Sequence, residues 1–253
     1  MQVTPIPCLT DNYAYVINDD NSKIVGVVDP SEALPVVSFL KKKKLKLNYI
    51  LNTHHHFDHI GGNLELKKIY NAKIIGFHKD KHRIPGIDIS LKDNEKWKFG
   101  NTQLKILHIP GHTLGHICFF FEKDKIAFTG DTLFSLGCGR IFEGTHSQML
   151  SSLNKIKKLP KDTMIYCGHE YTKKNAEFCM KYDTENEDLK KKFEEIKKLR
   201  SKNLPTIPTS LSDELKSNIF LRCDQNTLKN KLHMKNQEDL KVFRKIRDLK
   251  DSF

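Results

Sequence analysis

Thr53-His54-His55-His56-Phe57-Asp58-His59 is followed by Ile60-Gly61-Gly62-Asn63, and this stretch decides how the chain is read. It comes directly after an apolar run over 47–52 that is short enough for a strand. If the chain stays extended past 52, side chains 54, 56 and 58 point to one side, because a strand has period two. The Gly-Gly pair then opens a helix, and the turn swings His59 back toward the same place. Two imidazoles, a carboxylate and a third imidazole converge, a donor set that suits zinc, iron or manganese. A lone histidine is more often a satisfied core or surface residue. Four such groups at a strand-to-helix junction have few bland explanations, since buried charge without a partner or a ligand is costly. By the same alternation His55 points away.

Three later residues extend the set. His112 lies in Pro110-Gly111-His112-Thr113, Asp131 in Thr129-Gly130-Asp131-Thr132 and His169 in Cys167-Gly168-His169-Glu170. Each follows a strand-like run and has a glycine beside it, where backbone can approach an ion closely. Together His54, His56, Asp58, His59, His112, Asp131 and His169 suit two metal ions, with one bridging carboxylate and open positions for solvent. The remaining histidines have no such company. His116 is near His112 in sequence, but the strand that begins near 117 gives it a packing role.

Around these residues the first two thirds alternate strands and helices. Strands are expected over 13–18, 23–29, 47–52, 72–77, 97–109, 117–122, 126–129 and 164–167, and helices after Ser31, over 61–70 and over 146–159. After about Thr172 strand signals fade. Helical periodicity with many charges covers 173–182, 187–202 and 237–250, interrupted by Pro205 and Pro208. The division expected is a catalytic domain over 1–172 and an α-helical substrate-binding domain over 173–253.

Length and composition bound the function. A chain of 253 residues, 38% hydrophobic and 29% charged, can bury a core and is not disordered. The formal charge of +12 invites a nucleic-acid reading, but only six of the 43 basic residues are arginine, and lysines and acids are interleaved along the chain. Dedicated binders gather arginine and aromatic residues on one face. The expectation is therefore no nucleic-acid partner, with a mild attraction for anionic substrates. Six cysteines without a C-x-x-C pair give no zinc ribbon and no disulfide framework. Residues 1–5 have neither a basic nor an apolar targeting segment, and no apolar run reaches membrane-spanning length. A cytoplasmic location without membrane attachment is expected. Oligomeric state is not written in the sequence, and a monomer is the default.

The ligand motif and its three followers resemble the metallo-β-lactamase superfamily. The resemblance implies an α+β fold, an αββα sandwich of two mixed β-sheets flanked by helices, here with a C-terminal helical domain. It also implies that His54, His56 and His112 hold one metal and Asp58, His59 and His169 the other, with Asp131 bridging. Further features narrow the likeness: Leu9-Thr10-Asp11-Asn12-Tyr13, Gly130-Asp131-Thr132-Leu133-Phe134 continuing to Gly137-Cys138-Gly139-Arg140, Gly168-His169-Glu170-Tyr171-Thr172, Asn218-Ile219-Phe220-Leu221-Arg222, and the closing run 247–253. This set is similar to the glyoxalase II (hydroxyacylglutathione hydrolase) family.

That likeness implies hydrolysis of S-D-lactoylglutathione and other S-2-hydroxyacylglutathiones to glutathione and the 2-hydroxy acid, the second step of methylglyoxal detoxification. The nucleophile would be a metal-bridging hydroxide, with Asp58 and Asp131 as the catalytic carboxylates, and the cofactors two divalent ions, with zinc ahead of iron or manganese. Arg140, Tyr171, Arg247 and Lys250 would hold the glutathione moiety, whose two carboxylates pair well with such groups. Without the likeness, Arg247 and Lys250 would read as a solvated helix face. The chain departs from the family in two places. Phe142 replaces an aromatic hydroxyl, which removes a hydrogen bond worth about 0.5–1.5 kcal/mol. Arg140 stands where lysine is common, a change compatible with bidentate binding.

Three other readings compete. A single-iron glutathione persulfide dioxygenase would need neither the second-metal set nor the helical tail. A metallo-ribonuclease would carry an added nucleic-acid-binding arm. A non-catalytic metal-binding interaction protein would have no reason to keep all seven ligands. No Gly-x-Ser-x-Gly elbow is present, and Cys138 has no inferable histidine to activate it.

Overall fold

Valine- and isoleucine-rich runs in the first half of the chain become strands buried on both faces. The computed structural model describes all 253 residues. The chain divides into two units, one of Met1–His108 and Gly115–Gly130, the other of Ile109–Leu114 and Asp131–Phe253. The units therefore do not follow the change of sequence texture at Thr172.

In the first unit the strands β1 (Gln2–Cys8), β2 (Asn12–Asp19) and β3 (Ile24–Val28) form an antiparallel meander. Helix α1 (Ala33–Lys43) follows, and then β4 (Tyr49–Leu51), the short helix α2 (Phe57–Ile60), helix α3 (Asn63–Tyr70), β5 (Lys73–Phe77) and β6 (Ile87–Leu91). Strands β3 to β6 pair in parallel, so the sheet β1-β2-β3-β4-β5-β6 is mixed. A second, antiparallel meander runs through β7 (Lys96–Phe99), β8 (Thr102–His108), β9 (Ile117–Phe121) and β10 (Ile126–Gly130).

Period two sorts the mixed sheet's side chains. Ala14, Val16, Val25, Val27 and Ile50 face α1 and α3, where Val36, Leu40 and Leu66 close one core layer. The alternate residues face the second meander. Tyr15 meets Phe128 at 5.5 Å between ring centroids, and Tyr49 meets Trp97 edge-on at 4.8 Å. Gly26 leaves room for this packing, since a Cβ there would stand 2.9 Å from the Phe99 ring. Helix α1 ends with Lys41, Lys42 and Lys43 against the negative end of its dipole, and Lys44 closes it with φ 54°.

Several elements differ from expectation. The single strand expected over 97–109 is a hairpin, because Gly100 takes φ 58° and turns the chain. Strand β1 was not expected. Its Pro5 and Pro7 argue against a strand, but β1 is the sheet edge, where a missing N–H costs no ladder bond.

The second unit contains the two-residue strands β11 (Leu133–Phe134) and β12 (Gly137–Cys138), helix α4 (His146–Lys157), β13 (Met164–Cys167), α5 (Thr172–Tyr182) and α6 (Glu187–Arg200). It continues through β14 (Thr209–Ser210), α7 (Leu211–Ser217), α8 (Asn226–Lys231) and α9 (Asp239–Asp251). Helix α4 starts in a capping box between Thr145 and Gln148. Phe178, Phe220 and Phe243 form its aromatic core, with centroids 6.2 and 6.1 Å apart. Helix α9 buries Val242, Phe243, Ile246 and Arg247 and turns Lys241, Arg244 and Lys245 outward. Beneath the β11–β12 loop, the fully buried carboxylate of Glu214 accepts bonds from Ser135, Leu136, Lys192, Thr209 and Asn218. No helix is long and apolar enough to cross a membrane.

Candidate metal centre

Strand β4 ends at Leu51, and residues 52–56 leave it without regular structure. His54 and His56 remain on one side, with His54 Nε2 3.2 Å from His56 Nδ1. Asp58 arrives differently from the extended-chain expectation. It belongs to α2, so a helical turn rather than strand alternation carries it to His59, and its Oδ2 lies 3.5 Å from His59 Nε2. The His54 and His59 rings are 4.2 Å apart. His55 does point elsewhere, toward Asp80 and Arg83.

Hydrogen bonds set which ring nitrogens face inward. Asp29, 1% exposed, accepts from the Thr53 N–H at 2.7 Å and from its hydroxyl at 2.6 Å. That hydroxyl therefore accepts from His54 Nδ1 at 3.0 Å, leaving the lone pair on His54 Nε2. His59 Nδ1 is likewise turned to Asp29 Oδ2 at 3.1 Å, which leaves its Nε2 lone pair toward Asp58. Asp29 could itself be grouped with His54 and His59 as a metal donor. Its oxygens are already accepting these bonds, and we assign it the orienting carboxylate behind the ligands. Asn12 does the same for Asp58, donating to its backbone oxygen and to Oδ2, both at 3.0 Å. Sequence reading missed Asp29 as a functional residue. The available signal was an acid at a strand end, just before Pro30.

In the second unit three further candidates converge. Asp131 Oδ2 lies 3.2 Å from His169 Nε2 and 3.6 Å from His112 Nε2, so one carboxylate oxygen sits between two imidazoles. His112 Nδ1 faces the Arg140 carbonyl at 2.8 Å. A carbonyl only accepts, so Nδ1 carries the hydrogen and Nε2 is the donor atom to an ion. All three residues are buried.

The donor sets of both units fit divalent metal. Ligand atoms about 2.0–2.1 Å from a tetrahedral ion are separated by about 3.3–3.4 Å. The separations above bracket that value, and each fixed tautomer turns a lone pair the right way.

Gly130 closes β10 with φ 46°, and a Cβ there would stand 2.4 Å from Thr53 Oγ1 and 2.8 Å from the ring of His116. Gly130→Ala is expected to cost about 2–4 kcal/mol through left-handed strain and overlap. Thermal melting checks this, and an unchanged midpoint would contradict it. His116 is fully buried and stacked on His54 at 4.6 Å, in keeping with its expected packing role.

The expected substrate groups all belong to the second unit. Tyr171 stacks on His169 at 4.6 Å and Phe142 lies 5.2 Å from the His112 ring. Arg140 is exposed, its Nε donating to Asp251 at 3.2 Å. Arg247 is only 4% exposed and donates to the Cys138 carbonyl at 2.7 Å and to Asp251 at 3.0 Å. Lys250 lies over the rings of Phe178 and Phe253. Burial, with Arg247 and Lys174 as like-charged neighbours, pulls its ammonium below the usual lysine value. Cys138 is buried too, which pushes its thiol up to about 11 despite Arg247, so it is no ready nucleophile.

Known proteins resemble the chain along nearly its whole length. The family model of the metallo-beta-lactamase superfamily matches residues 9–169, and that of the hydroxyacylglutathione hydrolase C-terminus matches 170–253. A hydroxyacylglutathione hydrolase of Pelagibacter ubique is 55% identical over all of both chains. That of Methylococcus capsulatus is 43% identical over all of this chain and 99% of its own. Among solved structures, ETHE1 from Myxococcus xanthus superposes with a TM-score of 0.70, covering 98% of this chain and 90% of its own at 21% identity. The B3 metallo-beta-lactamase BLEG-1 gives 0.67, covering 87% of this chain and 99% of its own at 24% identity. These two likenesses show the fold alone, the αββα sandwich of two mixed sheets flanked by helices. With both family models matched end to end and full-length relatives at such identity, the chain belongs to the hydroxyacylglutathione hydrolase (glyoxalase II) family of the metallo-β-lactamase superfamily.

Proposed function

We propose that this chain hydrolyses S-D-lactoylglutathione, and other S-2-hydroxyacylglutathiones, to glutathione and the 2-hydroxy acid. The observation that carries the reading is the match of the hydroxyacylglutathione hydrolase C-terminus to 170–253, the stretch that supplies Tyr171, Arg247 and Lys250. In this reading His54, His56 and His112 hold one divalent ion, Asp58, His59 and His169 a second, and Asp131 both, with zinc the preferred metal. When bound, such ions lower the pKa of water and polarise a carbonyl.

The chain's own groups do the rest. Asp29 keeps hydrogens on His54 Nδ1 and His59 Nδ1, so that both rings present lone pairs. Arg140 and Lys250 meet the carboxylates of the glutathione moiety. An arriving carboxylate offsets, by its opposite charge, the burial that weakens the Lys250 charge. Arg247 fixes the loop on which Arg140 stands, by its bond to the Cys138 carbonyl. Phe142 supplies an apolar wall without the family's hydroxyl. With the thioester oriented, water adds its oxygen to the acyl carbon and the C–S bond breaks. The leaving thiol has a pKa near 8.5, so it departs as thiolate without a strong general acid.

Residues 1–172 would then form the catalytic region and 173–253 the substrate-binding one. The protein would act as a cytoplasmic monomer, a location in keeping with its six buried free thiols. The test is glutathione release from S-D-lactoylglutathione by purified protein of measured metal content. Rapid release, abolished by a chelator and restored by zinc, is expected. No release from metal-loaded protein would refute the activity.

A further inference from the structure

We propose that Asp80, acting with His55 and Arg83, is a positioning residue that sets the metal affinity of the His54–His56 run, although none of the three is a ligand. The inference rests on the metal reading above and adds to it a device outside the ligand set and outside the Asp29 and Asn12 contacts.

Asp80 closes the helical turn His78–Asp80 after β5 and is 1% exposed. Its Oδ1 accepts from Arg83 Nε at 3.1 Å and Nη2 at 2.5 Å. Its Oδ2 faces His55 Nδ1 at 3.3 Å. The Nη1 of Arg83 lies 3.4 Å from His55 Nε2. A guanidinium only donates, so His55 Nε2 accepts and the ring hydrogen sits on Nδ1, toward Asp80. The imidazole between the two candidate ligand residues thus lies between the Arg83 guanidinium on one nitrogen and the Asp80 carboxylate on the other.

Asp80 reaches the same place by a second route. A Cβ on Gly115 would fall 2.1 Å from the Asp80 carboxyl carbon, so the Gly115 backbone lies against the carboxylate. The next residue, His116, is fully buried and stacked on the His54 ring, 4.6 Å away and tilted by 18°. One carboxylate therefore braces His54 through its chain neighbour His55 and through the ring packed on its face.

Burying an acid against a guanidinium rarely stabilises a fold more than apolar packing would. What such a pair does well is hold one geometry. Here the geometry held is that of two imidazoles whose donor atoms are 3.2 Å apart. Losing an outer partner of metal ligands typically weakens ion binding by about 10–100-fold.

The test compares wild type with Asp80→Asn and with Arg83→Met, the latter keeping the carboxylate that faces His55 and removing only its guanidinium partner. The zinc dissociation constant is measured by competition with a chromophoric chelator, and the ligand field by visible absorption after Co²⁺ loading. Thioester kinetics are run at saturating zinc. The expected result is roughly 10–100-fold weaker zinc binding in Asp80→Asn and a smaller loss in Arg83→Met. Shifted Co²⁺ bands, an unchanged KM and activity recovered by added zinc should accompany it. A merely structural role would lower the melting temperature and leave the zinc constant alone. Folded variants that bind zinc within about threefold of wild type, against the expected ~10–100-fold loss, would overturn the inference. A wild-type chain that took up no zinc or cobalt would instead overturn the metal reading itself.

Discussion

Asp131→Ala is expected to abolish most thioester hydrolysis, lowering kcat/KM by more than about 100-fold, because even outer partners of metal ligands are worth about 10–100-fold. The reason lies in where the carboxylate stands. One oxygen is 3.2 Å from His169 Nε2 and 3.6 Å from His112 Nε2, in a pocket where Asp131 is 6% exposed. Alanine leaves two imidazoles facing one another with no negative charge between them to offset the charge of an ion. Its loop cannot shift to compensate. Gly139 packs so closely that a Cβ there would stand 1.8 Å from the Asp131 carbonyl oxygen. Metal content per chain should fall along with turnover. Wild-type zinc content and near-normal kcat/KM in Asp131→Ala would exclude the bridging role.

Glu214→Ala should be the most destabilising single change in the helical part. The carboxylate is fully buried and accepts from Ser135 at 3.1 Å, the Leu136 N–H at 2.7 Å, Thr209 at 2.8 Å and Asn218 at 3.0 Å, as well as from the Lys192 ammonium. Alanine takes the counter-charge from that ammonium, which keeps only the Thr209 hydroxyl, and removes the acceptor of Ser135, the Leu136 N–H and Thr209. Breaking a buried pair from one side costs about 3–5 kcal/mol. At about 2–4 °C per kcal/mol for a chain of this size, the melting midpoint should fall by roughly 6–20 °C. Activity should suffer as well, since Ser135 and Leu136 continue the loop that begins at Asp131. A midpoint unchanged from wild type would mean that the network contributes no net stability.

Both residues show how function is spread between local and distant sequence. Asp131 was recognisable from its glycine neighbour and its place after a strand. Glu214 was one acid among many in a charged helical stretch. Nothing within several residues of it announces that it will be buried under the β11–β12 loop. The same division separates His59, visible in its motif, from Asp29, which lies 30 residues away in sequence and sets the His59 tautomer. The strands of the mixed sheet were largely legible because burial on alternate faces writes a period of two into adjacent residues. Strand β1 was not, because its prolines are acceptable only at an edge, and being at an edge is a property of the sheet. Where Asp58 comes from was misread for a similar reason. Its spacing from His56 fits a strand, but α2 begins one residue earlier and presents it from a helical turn.

By itself the sequence determined the candidate ligand types, their order, the mixed fold that carries them and the family to which they belong. The donor types and their order follow from residue chemistry at short spacing, the fold and the family from the resemblance that those motifs carry. Tertiary structure alone decided which nitrogen of His54, His59 and His112 faces inward, which acids orient the candidate ligands, that Arg247 is buried against the Cys138 carbonyl, and that Asp80 braces the His54–His56 run. These depend on hydrogen-bond partners and excluded volume contributed by segments far apart along the chain, and spacing within a motif carries no record of them.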